Sequence, residues 1–292
     1  MESNNIQRII KKINEVPTLP MVSAQIMAML NNEDIQIKEL AALIERDQAL
    51  AVKIIKIANS AFYGTLCKVS TIDHALMLLG TKEIKDILLA FSIHHFFSEN
   101  LGKEFDRRTF WRHSVICSQI SRYLGRHFKI KEDGTIFLTG LIHDIGKVIF
   151  DAYFHKEFLM ILHQVHSTHS SFSKAEKEIL GITHYQIAAE LLKKWNFPEK
   201  VIMNVFYHHA PWHDRSHTEG SIIVYLSNIL TKIVGYPCLP AENKMDLHSF
   251  TESKAFDFIV QNGFELNHGI LDRMVIRIED MIASEDLDIF GS

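Results

Sequence analysis

Cysteine is scarce in this chain of 292 residues: Cys67, Cys117 and Cys238 are its only three. An odd, widely spaced set excludes a complete disulfide framework and leads us to expect a reduced, cytoplasmic setting. Glycine (13) and proline (6) are also sparse. Periodic segments therefore run long between few breaks, whereas an all-β chain would need more turns. Neither sign of charge dominates, with 31 Lys+Arg against 35 Asp+Glu and a net charge of −4. That balance argues against a broad grip on nucleic acid or on an anionic membrane. No apolar run approaches the roughly 18 residues that a bilayer span needs, and the longest, around 87–93 and 135–142, read as buried helix. The first thirteen residues are polar and then amphipathic, so no signal peptide is expected. With 47% hydrophobic and 23% charged residues, the chain can bury a substantial core. Histidine is what it has in excess: 17, against seven tyrosines and three tryptophans.

Apolar residues recur at helical spacing almost throughout, and no convincing alternating strand appears, so the fold class is all-α. Val16-Pro17-Thr18-Leu19-Pro20 reads as a rigid lead-in to a helix ending near Leu30. Further helices are expected from Ile37, from Asp47 (stripe Leu50, Ile54, Ile57, Ala58), from Ser70 or Thr71 to Leu79, and from Gly80-Thr81 to about Phe97. The polar stretch 98–106 precedes a long helix from Arg107 to about Leu124, ended by Gly125. Helices follow over 133–151, 156–166, 174–180, 183–195, 198–209 and 219–234. The stretch 235–240 then stops the run, and two more helices lie at 255–260 and 271–282. The expected division is 1–105, 106–236 and a C-terminal helical extension, 237–292.

Five segments of the second half each place a metal-capable residue on an apolar helical stripe. His113 lies with Phe110, Cys117, Ile120 and Leu124. His143 and Asp144 follow Leu141-Ile142, and Gly140 leaves room for a close helix approach. His184 is in line with Ala188, Leu191 and Trp195; His208 is in line with Val201 and Val205 and is followed by His209; Asn228 is in line with Val224. Their separations, about twenty to forty residues, are too long for a zinc finger and suit a pocket between packed helices. Imidazole with carboxylate suits zinc, iron, manganese or nickel. Adjacent His and Asp on a helix diverge by about 100°, so they can flank one ion or bridge two.

Leu141-Ile142-His143-Asp144-Ile145-Gly146-Lys147, with His113 upstream and His184 and His208-His209 downstream, resembles the HD superfamily of metal-dependent phosphohydrolases. The N-terminal half narrows this. Val16-Pro17-Thr18-Leu19-Pro20, Ile44-Glu45-Arg46-Asp47-Gln48-Ala49-Leu50, Ala58-Asn59-Ser60-Ala61-Phe62-Tyr63-Gly64 and Leu78-Leu79-Gly80 are similar to the HDOD family, HD-related output domains of bacterial signalling proteins. The resemblance spans roughly residues 10 to 235. It implies an HD-like helical bundle packed against an N-terminal multi-helix subdomain. It also implies metal ligation by His113, His143, Asp144, His184, His208 and His209, with Asn228 at the last ligand position and Lys147 facing substrate phosphate. If the chain is active, Asp144 and Lys147 are the catalytic pair.

Two departures matter. The last ligand of the HD pattern is an aspartate, and the neutral Asn228 binds a hard cation more weakly, so the metal site reads as weakened, with the metal only partly bound or absent. The Gly235-Tyr236-Pro237 tripeptide stands far beyond His209, unlike that of the cyclic-dinucleotide phosphodiesterases of the HD-GYP branch, and reads as a helix stop. Nor is Thr109, one turn before His113, the glutamate of the three-metal variants. His163, His166 and His169 read as a solvated face, His94-His95 as a helix end. Residues 37–60 could pass for a helix-turn-helix with Lys53 and Lys56 on phosphates, but their apolar density favours packing. The expectation is a signalling module acting on signalling proteins or a small nucleotide-like ligand, with no membrane or nucleic-acid partner. The alternative is a metal-dependent phosphohydrolase of a nucleotide or cyclic dinucleotide.

Overall fold

The computed structural model describes residues 48–60, 68–98, 105–130, 135–239 and 245–283, with positions 9, 40, 41, 44, 45 and 63. The expected lead-in at 16–20, the helix over 20–30, and Ala61, Phe62, Gly64 and Cys67 lie outside the described residues. Among the described residues there is no strand.

Helix α1 (Gln48–Ala58) buries Ile54, Ile57 and Ala58, and its Lys53 ammonium stands 5.1 Å from the centre of the Phe91 ring. Helix α2 (Ile72–Ser98) is capped by Thr71, whose Oγ1 accepts from His74 N. It breaks at Gly80, where φ of 80° and ψ of 157° interrupt the helix at the expected Gly80-Thr81 joint. Helix α3 (Arg107–His127) begins at Asp106, which accepts from Thr109 N and Thr109 Oγ1. It does not stop at Gly125. Lys129 takes the left-handed conformation and Ile130 N donates to Gly125 O, so the capping motif comes a turn later and Gly125 stays inside the helix.

The expected single helix over 133–151 is two helices, α4 (Thr135–Ile142) and α5 (Ile145–Tyr153), with His143 and Asp144 in the turn between them. The hydrophobic pattern hides this because both short helices are buried nearly all round. Then come α6 (His155–Thr168), α7 (Phe172–Ile179), α8 (His184–Lys194), α9 (Glu199–Tyr207), the 3-10 turn Pro211–His213 and α10 (Thr218–Ile233). Among its described residues the C-terminal stretch holds three helices rather than two: α11 (Leu247–Thr251), α12 (Lys254–Gln261) and α13 (His268–Ala283).

Two apolar cores meet at α3. Its Phe110, Trp111 and Val115 join a core reaching from Ile44, α1 and α2 through α9. Its Ile116, Ile120 and Leu124 join a second core with α10 to α13. A polar clasp ties α2 to α3: Arg122 pairs with Glu83 and lies 3.6 Å over the Tyr63 ring, whose hydroxyl donates to Glu83 at 2.8 Å.

Candidate metal centre

Most of the candidate residues sit at helix ends. His143 and Asp144 form the α4–α5 turn, His184 is the first residue of α8, and His208 caps α9 with His209 next; His113 and Asn228 lie within α3 and α10. Two glycines let these ends meet. A Cβ on Gly140 would stand 2.6 Å from Ser121 Oγ and 2.8 Å from Ser118 Cα, so α4 lies directly on α3. A Cβ on Gly146 would stand 1.9 Å from the His184 carbonyl oxygen, so α8 starts against the first turn of α5.

The rings share one orientation. His113 Nδ1 is 2.7 Å from Tyr236 O, His143 Nδ1 is 2.8 Å from Gly140 O, and His208 Nδ1 is 2.7 Å from Val205 O. A carbonyl only accepts, so each Nδ1 carries the proton and each Nε2 is turned inward. Fixing the tautomer through the outer nitrogen is how proteins prepare histidine for a metal. His184 is held by Glu176 instead, whose oxygens lie 2.9 and 2.7 Å from Nδ1.

Inside, the lone-pair atoms crowd. His113 Nε2 and His143 Nε2 are 3.4 Å apart, and His184 Nε2 and His209 Nε2 are 3.0 Å apart. Asp144 Oδ1 faces His184 Nε2 at 3.1 Å and His208 Nε2 at 3.6 Å, while Oδ2 holds the Lys147 ammonium at 2.7 Å. Two groups each bring their ligand atoms within 4.8 Å of one another, namely Asp144, His184, His208 and His209, and His113, His143 and Asp144. Asp144 belongs to both. Its Oδ1, His208 Nε2 and Asn228 Oδ1 are buried without a hydrogen-bond partner.

Two facing nitrogen lone pairs repel unless a cation stands between them, and the protonation pattern follows. Burial opposes charge on His143, but Asp144 and then Cys117 outweigh it and carry its pKa up to about 10. His184 is also raised, Glu176 and Asp144 overcoming burial. Burial, with neighbouring charged imidazoles, pushes His208 down to about 3 and His209 well below its usual value. Burial also opposes the Asp144 charge, yet Lys147 and His143 hold its carboxyl well below the usual range. In each crowded pair of rings one member thus takes a proton. Orphaned acceptors, inward Nε2 atoms and a shared carboxylate are a donor set that fits a divalent cation.

Asn228 is buried on α10, which packs against α3, α4 and α9. Lys147 is 1% exposed, its ammonium on Asp144 and 5.1 Å from the centre of the Phe172 ring. Gly235-Tyr236-Pro237 does stop α10, with Gly235 at positive φ and Tyr236 N closing on Thr231 O, and it also supplies the carbonyl that orients His113. That carbonyl and Glu176 were not found from the sequence: a backbone oxygen has no residue signature, and Glu176 reads as one more helix-surface acid. His163, His166 and His169 are exposed on α6 and its cap.

A curated protein of Treponema pallidum (strain Nichols), described as uncharacterized, is 25% identical over 206 residues, which is 69% of this chain; the match spans only 39% of that protein's length. A crystal structure of an HDOD domain protein of unknown function from Geobacter sulfurreducens superposes with a TM-score of 0.77 at 21% identity, over 96% of this chain and 98% of that one. A protein from Shewanella amazonensis SB2B named "Putative phosphohydrolase" superposes with a TM-score of 0.75 at 20% identity, over 97% and 96% of the two chains. At these identities the structures establish the shared all-α fold. The family model described as HDOD domain matches residues 16–211, more than half of the sequence, and the chain belongs to the HDOD family.

Proposed function

We propose that this HDOD protein is a cytoplasmic signalling output module whose histidine–aspartate centre holds a divalent ion as an internal fastening of its helices, and that it acts by binding signalling proteins or a small nucleotide-like ligand. One observation carries this reading. His113, His143, Asp144, His184 and His208 are each 0% exposed, and Lys147 is closed in beside them with its ammonium already spent on Asp144. A catalytic metal site keeps an open position for water and substrate, whereas a structural one is closed. Iron, manganese, nickel and zinc all suit the donor set, and the neutral Asn228 in place of a carboxylate weakens the hold on any of them. Among the described residues no helix is long and apolar enough to cross a membrane.

The second reading, a metal-dependent phosphohydrolase of nucleotides or cyclic dinucleotides, draws support from the site's edge. His209 and Tyr185 are half-buried, their rings 5.8 Å apart, and His209 belongs to the same ligand group as Asp144, so the centre comes nearest to the surface there. In such an enzyme a bound divalent ion activates water and neutralises charge on phosphorus. Lys147 would then bind the phosphate, and Asp144 would be released from it to serve as a ligand. The deciding experiment measures the metal content of the purified protein and its turnover of a panel of nucleotides and cyclic dinucleotides, beside His143→Ala. We expect bound metal, lost in the variant, and no turnover. Turnover that disappears in His143→Ala overturns the first reading in favour of the second.

A further inference from the structure

Glu176 is 0% exposed, on α7, and the hydrogen bonds of its carboxylate converge on one residue. Its two oxygens lie 2.9 and 2.7 Å from His184 Nδ1, and Oε2 also accepts from His184 N at 3.0 Å. A buried glutamate devoted to one histidine is costly unless its charge is used, because a carboxylate taken out of water loses its hydration. One turn earlier on the same face of α7, Phe172 covers Lys147. This short helix therefore backs the centre along its length.

The charges around the centre explain the arrangement. Asp144 is the carboxylate shared by both ligand groups, and Lys147 at 2.7 Å offsets its charge. Asn228 adds none. Five imidazoles and a compensated carboxylate then face a divalent ion with little negative charge to balance it. Glu176 restores that charge at one remove, through the ring of His184.

We propose that Glu176 is a positioning residue that replaces, from outside the ligand shell, the negative charge absent at Asn228: it fixes His184 with Nε2 inward and makes that ring a stronger donor to the divalent ion. The proposal rests on the metal-centre reading above. Removing such an outer partner lowers metal affinity about 10–100-fold in other proteins. The probe is Co2+, titrated into the full-length protein and followed by its visible absorption, with His143→Ala defining the signal that belongs to this centre. Glu176→Gln is expected to lose about 10–100-fold in affinity, Glu176→Asp to bind more tightly than Glu176→Gln, and Glu176→Gln/Asn228→Asp to recover most of the loss. A purely structural Glu176 would lower the melting temperature without Asn228→Asp restoring affinity. Equal affinity of Glu176→Gln and wild type, or no recovery in the double variant, overturns the proposal alone. No signal sensitive to His143→Ala in the wild type overturns the metal reading with it. Should Glu176→Gln fail to fold, nitrogen-15 NMR of the wild type with Zn2+ decides: Nδ1 of His184 protonated and Nε2 bound to metal is the expected state, and metal on Nδ1 refutes it.

Discussion

Replacing Gly146 by alanine adds one methyl group where the structure has no space for it. The new Cβ would lie 1.9 Å from His184 O, 2.6 Å from its carbonyl carbon and 2.8 Å from its Cα, where real Cβ contacts stay above 3.0 Å. The obstacle is backbone, so no side-chain rotation relieves it. The start of α8 must retreat from α5 by about 1 Å, in an interior packed as densely as an organic crystal. Overpacking costs typically 1–3 kcal/mol, and a backbone obstacle places Gly146→Ala at about 3 kcal/mol. For a protein of this size that corresponds to a fall in melting temperature of about 5–10 °C. The same retreat carries His184 Nε2 away from Asp144 Oδ1, now 3.1 Å distant, so affinity for a divalent ion falls with stability. Gly125→Ala is the control. Its Cβ would meet only Ile136 Cδ1, at 3.6 Å, and alanine for glycine inside a helix is worth about 0.5–1 kcal/mol in stability. Thermal unfolding monitored by circular dichroism should place the two variants on opposite sides of the wild type. Gly146→Ala melting with the wild type would refute the claimed contact between α5 and α8.

Two other outcomes are expected. His143 holds a proton in the metal-free fold up to a pKa of about 10, so its raised pKa contributes stability fully below 6.5 that is lost as pH rises through about 10. A metal must displace that proton, so affinity should climb by up to about tenfold per pH unit across this interval; a competition titration showing pH-independent affinity would count against His143 as a ligand. Glu83→Gln strips the buried Arg122 of its counter-charge and should cost about 3 kcal/mol or more in chemical denaturation, with Glu83→Gln/Arg122→Met regaining much of the loss. A melting curve unchanged in Glu83→Gln would show that the clasp contributes nothing.

Much of the fold was legible because helical periodicity survives translation along the chain. The stripe of His113, Cys117 and Ile120, the start of α3 at Arg107 and the joint at Gly80 are local features, decided within a turn or two of their own residues. The α4–α5 turn was not legible, because residues buried all round give no alternation to mark where one helix ends. The end of α3 was misread at Gly125 because a lysine, Lys129, took the left-handed position that glycine usually takes.

The sequence by itself determined the all-α class and the family, and it led to the expectation of one pocket shared by His113, His143, His184, His208 and His209. Those conclusions depend on residue type and order. Only the tertiary structure decided that the Nε2 atoms face one another, that Lys147 is closed in on Asp144, and that Glu176 and the Tyr236 carbonyl stand behind the rings. The reason is that charge and lone-pair orientation act through space at about 3 Å, between residues that the chain itself keeps as far apart as positions 113 and 236.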